Sequence, residues 1–492
     1  MASRDPNRPN VLLVLTDDQG YWAMGCAGNP EIRTPNLDRL AETGMRFENC
    51  FCVSPVCSPA RASLLTGRIP SQHGVHDWIR AGNSTTEPER GGRLVEYLKG
   101  QIACTNVLAE QGYVCGLSGK WHLGDSHHAQ KGFSFWEVHA RGGGPYYNAP
   151  MIRQGEVYEE PGYVTDVITD NALRFLHAQE GSDDPFYLSV HYTAPHSPWG
   201  REHHPDGIYD EYHGGCAFAS VPLLPMHPWQ VNSAPYGGDE ASRRALLSGY
   251  FAAVTAMDLN VGRLLDRLES EGLRENTLVF FTSDNGMNMG HHGIYGKGNG
   301  TFPQNMFDTS VKVPMLISRP GALPEGTVER GLYSHYDFLP TLLDYLGMDC
   351  PGGEDLPGRS FAPLLRGEGM AGREHVVVYD EYGPVRMIRS RDFKYIHRYP
   401  YGPHEFYDLQ SDPGEERDLF DSPDHQERIV DMRAELEEWF VRYVDPAVDG
   451  VREAVTGKGQ LGLAGPAGRG EERFADDWGY LSTGTKRLEV GG

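Results

Sequence analysis

Two pairs of oxygen-bearing side chains stand where apolar runs end. Asn10-Val-Leu-Leu-Val-Leu15 leads into Thr16-Asp17-Asp18-Gln19-Gly20, and Thr277-Leu-Val-Phe-Phe281 leads into Thr282-Ser283-Asp284-Asn285-Gly286. Asp17, Asp18, Asp284 and Asn285 offer hard oxygen donors that suit calcium or magnesium, and the absence of His or Cys from both pairs argues against zinc. Two more runs end in polar clusters: Tyr113 to Leu117 before Ser118-Gly119-Lys120-Trp121-His122, and Phe186 to Val190 before His191-Tyr192-Thr193-Ala194-Pro195-His196. A fifth segment, Cys57-Ser58-Pro59-Ala60-Arg61 and onward to Gly67, reads as a short helix whose start is fixed by Pro59. Cys57 then sits at or just before the helix N-terminus, where amide donors and the helix dipole favour an anion. Arg61, one turn on, falls on the same side. On these residues alone Cys57 is either a thiol of lowered pKa or a buried structural cysteine.

Uninterrupted apolar runs are the mark of strands buried on both faces, as in a parallel sheet covered by helices. Helical stretches lie between them. Thr34 to Gly44 has an N-cap Thr, Pro35 at the first helical position and a terminating Gly; Ser242 to Glu271 and Asp337 to Leu346 carry apolar stripes. The expected class is α/β, a large mostly parallel sheet sandwiched by helices, with ligands beyond the carboxyl ends of its strands. All four polar clusters then face one crevice. Beyond about residue 372 short strands at Glu374 to Tyr379, Val385 to Arg389, Phe393 to Arg398 and Glu405 to Leu409 predict a small antiparallel sheet, followed by a helix from Asp424 to Tyr443. The expected division is 1–372, 373–445 with its helix, and a Gly-rich tail or cap over 446–492.

Composition narrows the functions open to such a chain. The 492 residues carry Lys+Arg 44 against Asp+Glu 68, a net charge of −24, so a nucleic-acid surface would work against the overall field. No apolar run approaches the ~18 residues of a membrane span. The N-terminal residues show no secretory pattern. Eight Cys, unevenly spaced, form neither a disulfide framework nor paired zinc motifs. These features lead to an expectation of a cytoplasmic protein with reduced thiols and no nucleic-acid or membrane partner; they say nothing of oligomeric state.

Cys57-x-Pro59-x-Arg61 followed by Ala62-Ser63-Leu64-Leu65-Thr66-Gly67 resembles the signature of the type I sulfatases of the alkaline phosphatase superfamily. Asp17-Asp18-Gln19-Gly20, Gly119-Lys120-Trp121-His122-Leu123-Gly124, Ala194-Pro195-His196-Ser197-Pro198, Ser283-Asp284-Asn285-Gly286 and Gly296-Lys297-Gly298 follow in the family's order. Phe406-Tyr407-Asp408-Leu409 with Asp412-Pro413-Gly414-Glu415 resembles its C-terminal signature, so the resemblance runs from about residue 9 to 444. It implies an alkaline-phosphatase-like fold and oxidation of Cys57 to Cα-formylglycine by a formylglycine-generating enzyme. It also implies one divalent cation, calcium before magnesium, held by Asp17, Asp18, Asp284, Asn285 and position 57. A thiolate is a poor ligand for such an ion, whereas the hydrated aldehyde offers oxygens to metal and substrate alike. The resemblance further implies that one hydroxyl of the hydrate attacks sulfur and displaces the alcohol, and that the second then expels sulfate. Arg61 and Lys120 would hold hydrate and sulfate, His122 would be the base for the second hydroxyl, and His196 with Lys297 would stabilise or protonate the leaving oxygen.

Loops around these motifs are rich in rings and polar groups: His76, Asp77 and Trp78; Tyr146 and Tyr147; Trp199 and Arg201; His291 and His292. A lining of this kind suits the hydroxyls and flat face of a sugar better than a simple aryl group. His76, Trp78, Trp199, Arg201 and His292 are therefore the candidate substrate residues, for a small-molecule or oligosaccharide sulfate ester. Two rivals are a phosphomonoester or phosphonate ester hydrolase of the same superfamily, and a calcium-dependent glycan-binding protein in which Cys57 is never oxidised.

Overall fold

The computed structural model describes residues 8–370 and 377–477. An eleven-stranded sheet forms its centre. Its strands are β1 (Asn10–Thr16), β2 (Met45–Phe51), β3 (Val114–Lys120), β4 (Phe135–His139), β5 (Ala149–Arg153), β6 (Glu156–Glu160), β7 (Phe186–His191) and β8 (Thr277–Ser283). After a two-stranded ribbon, β9 (Asn288–Met289) with β10 (Tyr295–Gly296), come β11 (Lys312–Val313), β12 (Met315–Ser318) and β13 (Thr327–Ser334). The spatial order is β11-β2-β12-β8-β1-β7-β3-β4-β5-β6, with β13 on β2. The α/β class is as expected, and the sheet is mixed. Its centre, β8-β1-β7-β3-β4, is parallel, while β12 and the β5–β6 hairpin add antiparallel flanks.

β1 explains why its sequence is apolar without a break. Val11, Leu13 and Leu15 enter the core on one face and Leu12 and Val14 the core on the other, all at 0–1% exposure. One face is covered by α1 (Pro35–Glu42), α3 (Val164–Ala178) and α4 (Glu240–Ser270), the other by α2 (Cys57–Thr66) and α5 (Phe338–Tyr345). The N-cap of α4 is Asp239, which accepts from the Ser242 amide at 2.7 Å. Parallel strands between helix layers carry all their carboxyl ends to one edge, so β1, β3, β7 and β8 present their polar sequels together.

A four-stranded antiparallel sheet follows: β14 (Val377–Tyr382), β15 (Val385–Arg389), β16 (Phe393–Arg398) and β17 (Glu405–Asp408). The proposed boundary at 372/373 and the expected strand start at Glu374 lie outside the described residues, as do 478–492 of the tail. On this sheet α6 (Gln426–Tyr443) lays Ile429, Met432, Leu436 and Phe440, and the same cluster takes in Val53, Ile69 and Tyr336 from the larger body. Residues 445–477 then run back over the first body. Gln460 is fully buried; its amide donates to Trp78 O at 2.7 Å, its side chain donates to Gly74 O at 3.0 Å, and its Oε1 accepts from the His76 amide at 2.8 Å. Among the described residues no helix is long and apolar enough to cross a membrane.

Candidate active site

The ends of β1 and β8 are tied before any ligand enters. The Asp284 amide donates to Thr16 O at 3.0 Å, the Asp17 amide to Ala194 O at 3.1 Å, and the Asp18 amide to Asp284 Oδ1 at 3.2 Å. Asp18 sits at φ 64, a left-handed conformation that a non-glycine residue adopts only where its surroundings hold it there. The hydroxyl of Tyr250, from α4, donates to Asp18 O at 2.9 Å and does that holding. Asp17, Asp18 and Asp284 each place an oxygen within 4.8 Å of the others, and all three are buried.

Each carboxylate has its own cation. Lys120 Nζ donates to Asp17 Oδ2 at 2.5 Å, Arg61 Nε to Asp284 Oδ2 at 2.8 Å, and Lys297 Nζ to Asp18 Oδ1 at 2.5 Å. Burial raises the Asp17 carboxyl more than Lys120 lowers it. For Asp18 and Asp284 burial acts the same way, but Lys297 on the first and Arg61 with Lys120 on the second win and hold both below the ordinary range. Asp17 Oδ1 and Asn285 Oδ1 are buried with no hydrogen-bond partner, although Asn285 Nδ2 donates to Asp18 Oδ1 at 2.8 Å. Orphaned oxygens beside three clustered carboxylates fit a hard divalent cation.

Cys57 is the first residue of α2, so Pro59 lies in its first turn rather than at its first position. All ten residues of this helix are buried. Lys297 Nζ lies 2.7 Å from Cys57 Sγ. Desolvation nevertheless pushes the thiol up to about 12 against the pull of Lys120 and Lys297, so the reading of Cys57 as a low-pKa thiolate does not hold. Arg61, one turn along, carries its guanidinium to Asp284 and to Lys120 O at 3.1 Å, leaving Nη2 without a partner.

A cavity of about 700 Å³ opens over this centre. Asp18, Cys57, His122, His196 and Lys297 line it, while Asp17, Arg61, Lys120, Asp284 and Asn285 lie in the layer beneath. His122, at φ 55, has Nε2 2.8 Å from Ile79 O and a buried Nδ1 with no partner. Burial and then Lys120 hold its imidazole well below the usual pKa, so it is neutral. His196 is part-exposed, with Nδ1 2.7 Å from Ser197 O and Nε2 3.7 Å from Asp18 Oδ2.

The candidate substrate residues divide. Trp78 and Trp199 line the cavity; Trp78 Nε1 donates to Gly457 O at 3.0 Å, and Trp199, 1% exposed, donates to Pro195 O at 2.8 Å. His76, Arg201 and His292 do not line it. His76 is buried against the C-terminal segment with Nε2 2.8 Å from Val448 O, Arg201 makes a two-pronged pair with Asp210 at the surface, and His292 stacks on Phe307 at 3.9 Å. Sequence reasoning missed Arg80, Asn83, Arg141, Tyr158, Tyr236 and Asn299, all in the lining. It also left His191 without a role, although its Nδ1 lies 3.0 Å from Lys120 O; its place at the end of a buried strand was the available signal.

Cations and imidazoles converging on a clustered-carboxylate centre, at the strand ends of a helix-covered sheet, define a hydrolase for esters of tetrahedral oxyanions. The sulfatase family model matches residues 9–348, and a second, of the N-sulphoglucosamine sulphohydrolase C-terminal region, matches residues 290–442. The chain is 29% identical over 536 aligned residues to an N-acetylglucosamine-6-O-sulfatase of Bacteroides thetaiotaomicron, covering 93% of this chain and 91% of that one. It is 31% identical to an ulvan-active sulfatase of Formosa agariphila, covering 88% and 81%. A solved structure in complex with its substrate D-glucosamine-2-N,6-O-disulfate superposes with TM-score 0.71 at 28% identity, covering 91% of this chain and all of the other. The chain belongs to the sulfatase family, the type I sulfatases of the alkaline phosphatase superfamily, and is a sulfuric ester hydrolase. The family generally uses a metal ion and formylglycine.

Proposed function

We propose that this enzyme removes sulfate from saccharide sulfate esters, with Cys57 matured to formylglycine by a formylglycine-generating enzyme. The observation that carries the reading is the cavity over Cys57: rings of Trp78, Tyr158 and Tyr236 stand beside Arg80, Asn83, Arg141 and Asn299, a mixture that stacks on and hydrogen-bonds a sugar. The saccharide sulfatases it resembles support the same class of substrate. Asp17, Asp18, Asp284 and Asn285 would hold one divalent cation, calcium in this reading, which would draw charge from the sulfate oxygens. The residues themselves divide the proton work. His122, with an Nε2–H fixed on Ile79 O, keeps Nδ1 as an acceptor and is assigned the proton of the second hydroxyl at position 57. His196, with an Nδ1–H on Ser197 O, turns Nε2 into the cavity beside Asp18 and is assigned the leaving oxygen, with Lys297. The seven cysteines besides Cys57 are unpaired, which supports a reducing compartment for the folded chain.

The test pairs peptide mass with turnover. Active enzyme should show aldehyde in place of thiol at Cys57 and should cleave 6-sulfated amino sugars faster than matched phosphate or phosphonate esters. Activity from wholly unmodified Cys57 overturns the mechanism. A preference for phosphonates overturns the substrate, and calcium-dependent glycan binding without turnover makes the chain a lectin.

A further inference from the structure

The cavity wall after β4 is made by Arg141-Gly142-Gly143-Gly144-Pro145. A Cβ on Gly142 would overlap the His122 ring, and one on Gly143 would come within 3.2 Å of His196 Cε1. Gly142 and Gly143 therefore bring the backbone against both imidazoles, and Arg141 starts one residue from that contact. Its own backbone is anchored by an amide bond to His139 Nδ1 at 3.0 Å. The guanidinium is not anchored in the same way. Nε is buried without a hydrogen-bond partner, and Nη2 reaches only Thr86 O at 3.4 Å.

Arg80, in the same lining, also has a buried Nε with no hydrogen-bond partner, but its guanidinium is ion-paired. Arg80 donates to Asp477 at 3.1 Å and Arg153 to Glu137 at 2.8 Å. Among the described residues no carboxylate lies within ion-pair distance of Arg141. Glu87, whose charge it feels, has its oxygens taken by the Gly82 and Asn83 amides and the Asn83 side chain at 2.9–3.0 Å. Glu159, the other carboxylate on that wall, is exposed. A guanidinium with a desolvated, unpaired donor in a ligand cavity is costly unless a ligand completes it.

We propose that Arg141 binds a second anionic group of the substrate, so that the preferred saccharide carries another sulfate or a carboxylate besides the sulfate that is cleaved. Guanidinium presents a planar fork that matches either oxyanion, and both Arg141 and His122 line the same cavity. This rests on the saccharide reading above and adds to it a charge requirement. The required anion is distinct from the scissile sulfate, which the proposed function places at Cys57.

The experiment measures kcat/KM for three substrates: N-acetylglucosamine-6-O-sulfate, glucosamine-2-N,6-O-disulfate, and a 6-sulfated glucosamine linked to a uronic acid. The wild type should favour at least one doubly anionic substrate over the first by about ten- to a hundredfold, the range of a charge-assisted hydrogen bond. In Arg141→Gln that ratio should fall toward one, and Arg141→Lys should retain part of it. The ratio is insensitive to loss of folded enzyme, so instability of a variant does not mimic the effect. Which doubly anionic substrate responds tells sulfate from carboxylate. A wild-type ratio near one for both, or a ratio unchanged in Arg141→Gln, overturns the proposal and leaves the saccharide reading standing. Turnover of an aryl sulfate with none of the three saccharides overturns both.

Discussion

Lys297 answers two groups at once, Asp18 Oδ1 at 2.5 Å and Cys57 Sγ at 2.7 Å, and this double duty describes the charge state of the whole centre. Three carboxylates meet two ammoniums and one guanidinium, so the side chains alone leave no surplus positive charge for a sulfate ester. A divalent cation held there, as proposed, would supply that surplus. Asp284→Asn keeps an oxygen for Arg61 but removes a charged ligand; bound metal and turnover should fall together, turnover by at least ~10³-fold, with the fold intact by circular dichroism. Full activity after exhaustive chelation, with an empty site by metal analysis, would contradict this. The two imidazoles make a sharper pair. His122→Ala should still release a stoichiometric burst of alcohol from an activated sulfate ester and then stall with sulfate retained on the protein. His196→Ala should lose rate on esters with poor leaving groups far more than on activated ones, since general acid assistance is worth ~10²–10⁴-fold only where the alcohol needs a proton. Equal losses for His196→Ala across leaving groups, with no burst in His122→Ala, would refute the assignment.

Strands buried on both faces are legible in the amino-acid sequence: β1, β3, β7 and β8 follow from unbroken apolar runs, and their polar sequels converge because parallel strands between helices can only end on one edge. β2 escapes that reading, since Met45-Arg46-Phe47-Glu48-Asn49 alternates buried with part-exposed residues, and so does the β5–β6 hairpin, whose Glu156 to Glu160 stretch is half in solvent. Loops are legible only where a motif fixes them. Trp78 faces the cavity, yet His76, two residues away, points into the C-terminal segment, and no periodicity in a loop foretells which of two neighbours turns inward. Arg141 and its glycines escape for a related reason: they become a wall only once His122 and His196 arrive from β3 and β7. The same loop yields a prediction at this scale. Gly142 needs no left-handed backbone, and the atoms nearest the methyl of Gly142→Ala belong to the His122 ring, which Ile79 O fixes in place. It should fold normally and lose about 10²-fold in turnover, the usual cost of misplacing a catalytic group by about 1 Å. Gly143→Ala, with its looser 3.2 Å contact, should lose less. A fully active Gly142→Ala would show that the glycine loop does not position His122.

The small sheet is held to the catalytic body by a buried ionic cluster as well as by α6. Lys394 Nζ, on β16, donates to Asp308 Oδ1 at 2.7 Å, Glu415 Oε1 at 2.5 Å and Met306 O at 2.8 Å, and Arg389 Nη2 donates to Asp308 Oδ2 at 3.0 Å. Asp308 comes from the segment that leads from the Lys297 loop into β11, so the cluster ties that stretch of the catalytic body to the C-terminal sheet. Burial raises both carboxyls. Arg389 and Lys394 overcome it at Asp308, which is held far below its ordinary value, whereas Glu415 remains raised to about 7. The signs therefore oppose. Asp308 contributes stability that is complete above its unfolded pKa of ~3.9 and is lost as pH falls below it; Glu415 contributes stability present below its unfolded ~4.3 and lost as pH rises through about 7. Lys394→Met leaves two buried carboxylates with one guanidinium, and removing one partner of a buried pair costs ~3–5 kcal/mol. That cost should be greatest at pH 8, where both acids are charged in the unfolded chain and, in the folded one, Asp308 keeps Arg389 while Glu415 has lost its ammonium. It should shrink toward pH 5, where Glu415, raised further by loss of the ammonium, folds in its neutral form. Thermal denaturation of wild type and Lys394→Met from pH 5 to 8 measures this directly. A difference that is constant with pH, or that widens on acidification, would mean that Lys394 acts through packing and its bond to Met306 rather than by offsetting the charges that join the two sheets.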